Sequence, residues 1–256
     1  MIKRRYGWRP DKPDQRDFRY GIPTRFLEES RLPPVIDLRP HMPPVYDQGE
    51  LGSCTANAGA AAVEYLRMKN GDAPVAPSRL FIYYGERVIE GTIGEDAGAE
   101  IRDCIKELNR TGVCAEATWP YDISAFTHRP SPAAYFEAAE TKAERYERLD
   151  NTHLHAVKAA LADGYPVIFG FSVYESFESQ AVAASGKVPM PKVSEDMLGG
   201  HAVLAVGYIA AKRRFIVRNS WGEAWGDAGY CTMPYAYLTN ANLADDFWIL
   251  KGLSDI

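Results

Sequence analysis

Three widely separated residues carry side chains that together could activate a thiol. Cys54 follows Ser53 and begins an Ala-rich stretch, which places the thiol in the first turn of a predicted helix. His201 opens an apolar segment far downstream, and Asn219 follows it. A thiol is a strong nucleophile only as a thiolate, and a helix N-terminus with an imidazolium lowers its pKa. His201 could move the proton and Asn219 could orient the imidazole.

The elements that must position these residues change in character along the chain. The first half is mainly helical, with predicted helices at 54–69, 78–90 and 99–109. The region from 133 to 148 is Ala- and Glu-rich and is predicted to be partly helical, and 153–163 forms another helix. Apolar, β-branched segments at 167–173, 201–208, 214–218 and 229–233 predict antiparallel strands. The chain is therefore predicted to be α+β.

Motifs around these residues resemble those of a known family. The segments are Gln48-Gly49-Glu50-Leu51-Gly52-Ser53-Cys54, Gly200-His201-Ala202 and Arg218-Asn219-Ser220-Trp221-Gly222, with Leu32 to Arg39, Trp119-Pro120-Tyr121, Trp225-Gly226 and Gly229-Tyr230 as flanking matches. Together they resemble the papain-like cysteine peptidases over roughly Leu32 to Met233. The resemblance implies a helical left lobe and an antiparallel β-sheet or barrel right lobe, with the active-site cleft between them.

The resemblance also assigns roles to individual residues. Cys54 would be the nucleophile, His201 the general base and acid, and Asn219 the residue that orients His201. Gln48, six residues before the nucleophile, would form the oxyanion hole with the backbone N–H of Cys54, a donor typically worth about 3 kcal/mol in the transition state. Trp221 would pack over the Asn–His pair, and Ser53 would support Cys54 as the predicted N-cap.

Substrate-binding residues are predicted from position. Asp96, Ala97 and Gly98 stand where the family has a Gly-rich stretch that pairs with extended substrate. An apolar pocket is expected beside His201, and its predicted wall consists of Gly170, Phe171, Gly199, Gly200 and Ala202. Phe171 could shorten that pocket. The chain also departs from the family, with Leu51 and Thr55 in place of a disulfide cysteine and an aromatic residue.

Domain boundaries follow from the change in composition near residue 32. Residues 1–31 are rich in charges and prolines and are predicted to form an arm, with a short pro-segment that blocks or borders the cleft as the hypothesis for its role. Residues 32–256 form the peptidase domain, with 50–130 as the helical lobe and 32–49 plus 131–256 as the β lobe. Residues 174–197 are predicted to form a long loop over the cleft, with a lid as the hypothesis for its role.

Composition narrows the functional classes. A formal net charge of −5 argues against nucleic acid as a partner, and the apolar runs are too short for a membrane span. The arm contains no apolar signal segment, so cytoplasmic residence is the expectation. The four cysteines are interpreted as thiols, with a Cys104–Cys114 bridge as the alternative. The histidines lack metal-ligand spacing, so we expect no metal. The family resemblance implies a peptide or protein substrate and no cofactor, and we expect a monomer.

Two other functions remain open at this point. The same thioester could be resolved by an amine, which would make the protein an acyl transferase rather than a hydrolase. A catalytically idle scaffold that binds peptides in the cleft is the second alternative. Because Cys54, His201 and Asn219 are all present, the sequence disfavours the idle scaffold, and it leaves hydrolysis and acyl transfer both open. Hydrolysis of peptide bonds through a thioester acyl-enzyme is the first hypothesis.

Overall fold

A computed structural model describes residues 5–254 of the chain. Its helices are α1 (Cys54–Asn70), α2 (Arg79–Glu90), α3 (Ile101–Arg110), α4 (Pro132–Ala138), α5 (Leu154–Ala162), α6 (Gln180–Ser185) and α7 (Tyr235–Leu238). Its strands are β1 (Trp8–Arg9), β2 (Val35–Asp37), β3 (Ala99–Glu100), β4 (Ala143–Leu149), β5 (Val167–Tyr174), β6 (Met197–Ile209), β7 (Arg214–Arg218), β8 (Tyr230–Pro234) and β9 (Ala244–Leu253). The predicted α+β class is confirmed.

Helix α1 lies at the centre of the molecule. Its residues from Cys54 to Leu66 are all buried, because the helix packs on α2, on α3 and on strands β6 and β9. Small side chains, mostly alanine, let these neighbours approach closely on every side. The helix ends at Gly71, which adopts the left-handed conformation (φ 93°) that favours glycine. Burial on all faces holds the first turn of α1 in a fixed position.

The entry into α1 differs from the prediction in one detail. Ser53 does precede the helix, but its side chain makes no capping hydrogen bond. Its hydroxyl lies 2.5 Å from the Tyr121 hydroxyl and accepts a hydrogen bond from the Asn57 side chain (3.0 Å). The backbone of Ser53 (φ −96°, ψ 27°) lacks the extended conformation that capping residues usually adopt. Ser53 therefore supports the helix entry through side-chain contacts.

Seven strands form one antiparallel sheet. Their order is β4-β9-β5-β6-β7-β8, and β2 pairs with β6 at the side of that path. The long strand β6 carries His201 and pairs with β5, so that Gly170 lies opposite Ala202 and Phe171 opposite His201. The sheet thus supplies one wall of the site, and α1 supplies the other.

The region predicted to be partly helical over 133–148 is helical only in its first part. Helix α4 ends at Ala138, and residues Ala143–Leu149 form strand β4, which pairs with β9. The Ala- and Glu-rich composition favours helix locally, but pairing with β9 overrides that preference. This strand places Arg148 beside the N-terminal arm.

The loop predicted over 174–197 is partly helical. A 3-10 turn at Glu175–Glu178 leads into α6, and Phe177 and Val182 are buried. Phe177 packs edge-on to Trp221 with ring centroids 5.4 Å apart. The first half of this segment is therefore part of the folded β lobe.

Cysteine pairing and membrane spanning can be judged within the described residues. All four cysteines are free and buried, so the Cys104–Cys114 bridge is wrong. Among residues 5–254, no helix is long and apolar enough to cross a membrane.

The N-terminal arm runs across the molecule before the first large element. Strand β1 pairs in parallel with β3, and further along the backbone N–H of Tyr20 donates to the carbonyl of Arg148 (2.9 Å). Two 3-10 turns, Thr24–Phe26 and Glu29–Arg31, then lead to β2. The arm is therefore bound at both lobes of the structure.

Candidate active site

Cys54 lies at the first residue of α1 and is fully buried. Its sulfur accepts hydrogen bonds from the backbone N–H groups of Ala202, Gly7 and Thr55, which favour the thiolate. Burial dominates, however, and raises the pKa of Cys54 to about 11. The lowered pKa expected from the helix N-terminus is therefore absent while residue 7 of the arm covers the sulfur.

His201 and Asn219 form a hydrogen-bonded pair. The Nε2 atom of His201 lies 2.8 Å from Oδ1 of Asn219, and the same oxygen accepts from the backbone N–H of Ser220 (2.8 Å). Because an amide oxygen can only accept, Nε2 of His201 is the protonated nitrogen in this pair. The ring is thereby oriented with its Nδ1 edge directed away from Asn219.

Trp221 covers the His–Asn pair. Its indole stacks on the imidazole of His201 with ring centroids 5.1 Å apart and an interplanar angle of 29°. Trp225 and Phe177 pack against the other sides of Trp221. The hydrogen bond between His201 and Asn219 is therefore shielded from water, which strengthens it.

Both polar atoms of the Gln48 side-chain amide are hydrogen-bonded. The hydroxyl of Ser220 donates to its Oε1 (2.6 Å), and its Nε2 donates to the carbonyl of Leu51 (2.9 Å). The same Nε2 also lies 3.4 Å from the carbonyl oxygen of Arg5 in the arm. Gln48 thus directs an N–H group toward a carbonyl at the mouth of the site.

Arm residues 6–9 fill the space above the thiol. The carbonyl of Gly7 accepts from the backbone N–H of Ala99 (2.7 Å), while its own N–H bonds to the Cys54 sulfur. A side chain on Gly7 would overlap the carbonyl of Gly52, so only glycine fits there. The ring of Tyr6 lies against His201, with centroids 6.2 Å apart.

Most of the predicted substrate-binding residues contact the arm. Gly98 faces Gly7, Gly199 faces the ring of Tyr6, and Gly170 and Gly200 face Trp8. Ala202 contributes its N–H to the thiol of Cys54. The structure therefore brings these predicted residues together along one groove, which the arm occupies.

Asp96 and Ala97 lie beside that groove. The carboxylate of Asp96 accepts from the backbone N–H of Gly52 (3.0 Å), the hydroxyl of Tyr83 (2.6 Å) and the guanidinium of Arg5 (3.0 Å). Ala97 is half-buried next to it. Asp96 therefore holds the backbone just before the nucleophile, a role that the sequence did not reveal.

Phe171 does not line the groove, which corrects the predicted pocket wall. Alternate residues of a strand point to opposite faces, so Gly170 faces the arm while Phe171 points into the core. There it packs on Phe177 and Tyr237, and its edge lies against His201 with ring centroids 5.8 Å apart. Phe171 supports the histidine from behind.

Residues that sequence reasoning missed lie where the arm leaves the groove. Trp8 donates a hydrogen bond to Asp246 (3.1 Å), which is also paired with Arg148 (2.7 Å). The sequence feature that could have indicated this contact is the acidic pair Asp245-Asp246, which directly precedes the apolar residues of β9. Within residues 5–254, no group of three or more His, Cys, Asp or Glu could hold a metal ion.

Comparison with known proteins agrees with this geometry. The model of the family described as papain family cysteine protease matches residues 32–248. A peptidase C1-like protein of Acanthamoeba polyphaga mimivirus is 44% identical, and the match covers 99% of this chain and 89% of that protein. Cathepsin K of Mus musculus is 29% identical over 80% of this chain, which spans 60% of the cathepsin's length.

Solved structures show the same relationship. Xylellain, a cysteine protease from Xylella fastidiosa, has a TM-score of 0.89 and 44% identity, and the match covers 98% of both chains. A Carica candamarcensis cysteine protease in complex with E-64 has a TM-score of 0.60 and 24% identity over 78% of this chain and 88% of its own, a likeness of fold. The predicted family and papain-like fold are confirmed, and the chain belongs to the papain family of cysteine proteases as a cysteine endopeptidase.

Proposed function

We propose that Cys54 is the nucleophile of peptide-bond hydrolysis, with His201 as general base and acid. The thiolate of Cys54 attacks the scissile carbonyl, and protonated His201 donates a proton to the leaving amine, which leaves a thioester. A water molecule then gives a proton to His201 and attacks the thioester, which releases the acid and returns the thiol. Asn219 keeps the imidazole oriented through both steps, and its 2.8 Å contact with His201 is the observation that carries this assignment.

Gln48 is proposed to stabilise the oxyanion of both tetrahedral intermediates. Its Nε2 is held by Leu51 and already approaches a carbonyl oxygen, that of Arg5, in the covered site. Together with the backbone N–H of Cys54, this donor would account for about 3 kcal/mol of transition-state stabilisation.

The arm, residues 1–31, is proposed to inhibit the peptidase as a short pro-segment. Three contacts of described arm residues support this proposal: Gly7 bonds to the thiol, Tyr6 lies on His201, and the Arg5 carbonyl takes the Gln48 donor. A peptide substrate needs the same groups. Activity therefore requires that the arm leave the groove.

Labelling with an E-64-type epoxide tests both proposals. A cleavage site for an unrelated protease is placed within residues 21–28, where the arm is largely exposed, and the folded protein is treated before and after cutting. We expect slow labelling of the intact chain and rapid labelling after the cut, with the adduct confined to Cys54 in peptide mass analysis. Cys54→Ala serves as the control.

The possible results separate the two proposals. Rapid labelling of Cys54 before the cut would disprove inhibition by the arm but leave the nucleophile in place. Absence of labelling in the intact chain and in the cut chain from which residues 1–20 have been separated, with no hydrolysis of casein peptides, would disprove the catalytic assignment.

A further inference from the structure

The groove contains a side-chain pocket that Trp8 occupies. Its walls include Gly170 of β5 and Gly200 of β6, and a side chain at either position would overlap the indole of Trp8. Trp8 follows Gly7, whose N–H bonds to the sulfur of Cys54. The pocket therefore receives the side chain of the residue next to the one that covers the nucleophile.

A buried carboxylate lies at the far end of this pocket. Asp246 is fully buried, and its Oδ2 accepts from Nε1 of Trp8 (3.1 Å) and from the backbone N–H of Asp11 (2.7 Å). Its Oδ1 accepts from the guanidinium of Arg148 (2.7 Å). Both donors to Oδ2 belong to the arm. When the arm leaves, Oδ2 loses both partners while Oδ1 keeps its own.

An unsatisfied buried acceptor discriminates strongly between occupants. A side chain with an N–H donor at its far end would restore the hydrogen bond to Oδ2, whereas a phenyl ring would leave the carboxylate oxygen without a partner. Removing one partner of a buried hydrogen bond costs more than the bond contributes on average. The pocket therefore favours a large side chain that carries a donor.

The charge around Asp246 determines whether the pocket favours a neutral or a cationic donor side chain. With the arm gone, two acids, Asp245 and Asp246, face Arg148, and Arg102 also lies within electrostatic reach of Asp246. Two negative charges and two positive charges then balance, so the pocket has no excess negative charge to offset the burial of a cationic side chain. The two glycines that line it suit a flat ring.

We propose that Asp246 determines specificity in this peptidase and that the pocket selects tryptophan in the substrate, as it takes Trp8 from the arm. This inference rests on the proposed function, because it assigns a substrate side chain to the same groove. Trp8 in the folded chain then represents the preferred side chain.

The test uses the chain cut within residues 21–28 after folding. A peptide library randomised at the four residues before the scissile bond is digested, and products are identified by mass spectrometry. At one of these positions we expect tryptophan to exceed phenylalanine and arginine by about tenfold in kcat/KM. Cleavage with phenylalanine or arginine preferred there would overturn the inference while leaving the peptidase assignment intact. No cleavage of any peptide would overturn both.

Variants of Asp246 test whether this residue causes the preference. Asp246→Asn keeps an acceptor oxygen and should keep tryptophan ahead of phenylalanine, whereas Asp246→Leu should reduce the ratio to about one. An unchanged ratio in Asp246→Leu would overturn the role of Asp246. Thermal unfolding confirms that each variant is folded.

A second measurement remains informative if Asp246→Leu fails to fold. In the intact chain, Trp8→Phe retains the ring but removes the donor, so the arm should bind less tightly and epoxide labelling of Cys54 should quicken about tenfold. Equal labelling rates in Trp8→Phe and the unaltered chain would show that the hydrogen bond to Asp246 contributes nothing to recognition.

Discussion

The N-terminal arm has two parts that differ in how they meet the rest of the protein. The inner arm, residues 5–17, contributes the buried side chains of Trp8 and Asp11 and a carboxylate on Asp17 that is 6% exposed. The outer arm, residues 18–31, leaves Phe18 64% and Leu27 60% exposed. Burial is concentrated in the inner arm.

The ion pairs of the inner and outer arm differ in the same way as their burial. Asp17 of the inner arm pairs with Arg102 (2.6 Å) and Arg148 (3.1 Å), and all three side chains are at most 10% exposed. The outer arm pairs through exposed groups, such as Arg31 with Glu28 (3.3 Å). Exposed ion pairs contribute little to stability, whereas breaking buried ones is costly. We infer that the inner arm carries the binding energy and the outer arm acts as a tether.

The largest difference in the labelling rate of Cys54 is expected when a glycine in each part of the arm is replaced by alanine. Gly7→Ala would place a methyl group into the carbonyl of Gly52, whereas the equivalent position at Gly21 has no heavy atom within 4 Å. Overpacking typically costs 1–3 kcal/mol, so epoxide labelling of Cys54 in intact Gly7→Ala should quicken roughly 10- to 100-fold. Gly21→Ala is the matched control and should label at the unaltered rate. Equal rates in the two variants would contradict the division.

Two aspartates provide the second comparison. Asp17→Asn removes a buried charge from Arg102 and Arg148, and a charge-assisted hydrogen bond contributes about 1.5–3 kcal/mol, so labelling should quicken at least about tenfold. Asp14→Asn is the control, because Asp14 pairs with the exposed Arg16. Its effect should stay within about twofold. A larger effect at Asp14 than at Asp17 would place the binding energy at the surface of the arm.

The acidic groups of the inner arm also predict a pH dependence. Burial, and then the charge of Asp11, raises the pKa of Asp246 to about 7, and burial likewise raises the pKa of Asp11. The groups facing Asp246 are Asp11, Asp245, Arg148 and, at longer range, Arg102. Departure of the arm removes Asp11 and uncovers Asp246, so both pKa values fall. The arm-bound form therefore holds more protons, and a rise in pH through 7 favours release.

The measurement compares two pH profiles so that thiol ionisation cancels. The labelling rate of the intact chain divided by that of the chain cut within residues 21–28 should rise about fivefold between about pH 6 and pH 8. Asp246→Asn should flatten the ratio. Asp17 acts in the other direction. Burial alone would raise its pKa, but hydrogen bonds from Arg102 and Arg148 overcome that effect and lower the pKa. The contribution of Asp17 to arm binding is therefore lost only below pH 3.8, the ordinary pKa of an aspartate. A ratio that rises on acidification from pH 8 to pH 6 would contradict the assignment to Asp246.

The smallest effect is expected at the outermost contact of the inner arm. The hydroxyl of Tyr6 bonds to the exposed carboxylate of Glu178. Tyr6→Phe keeps the ring on His201 and removes only this bond, so labelling should change by no more than about threefold. Glu178→Gln is the matched partner variant. A change in Tyr6→Phe as large as that in Gly7→Ala would move the main binding contact from the thiol to the loop of Glu178.

The sequence predicted the parts of the site that are tied to local motifs. Cys54, His201 and Asn219 each stand in a distinctive run of residues, and the alternation of strands predicted the sheet that carries His201. Phe171 was misplaced because adjacent residues of a strand face opposite ways, and spacing alone did not fix which face meets the groove.

The path of the arm could not be predicted in the same way. Its contacts join residues far apart in sequence, such as Arg102 with Asp17, and depend on tertiary packing rather than on periodicity. Strand β4 was missed for a similar reason, since pairing with β9 decides its conformation. Local composition at 133–148 favoured helix.

The hydrogen bond between Trp8 and Asp246 joins residues 238 positions apart. Contacts of such long range form late in folding, because the loop that they close must first be ordered by other elements. Strand β9, which carries Asp246, comes near the end of the chain, so the groove cannot close until the last strand has joined the sheet. The arm precedes the other described elements along the chain, yet it can dock only after β9 has joined the sheet. Refolding should therefore pass through a transient species with an assembled sheet and an open groove.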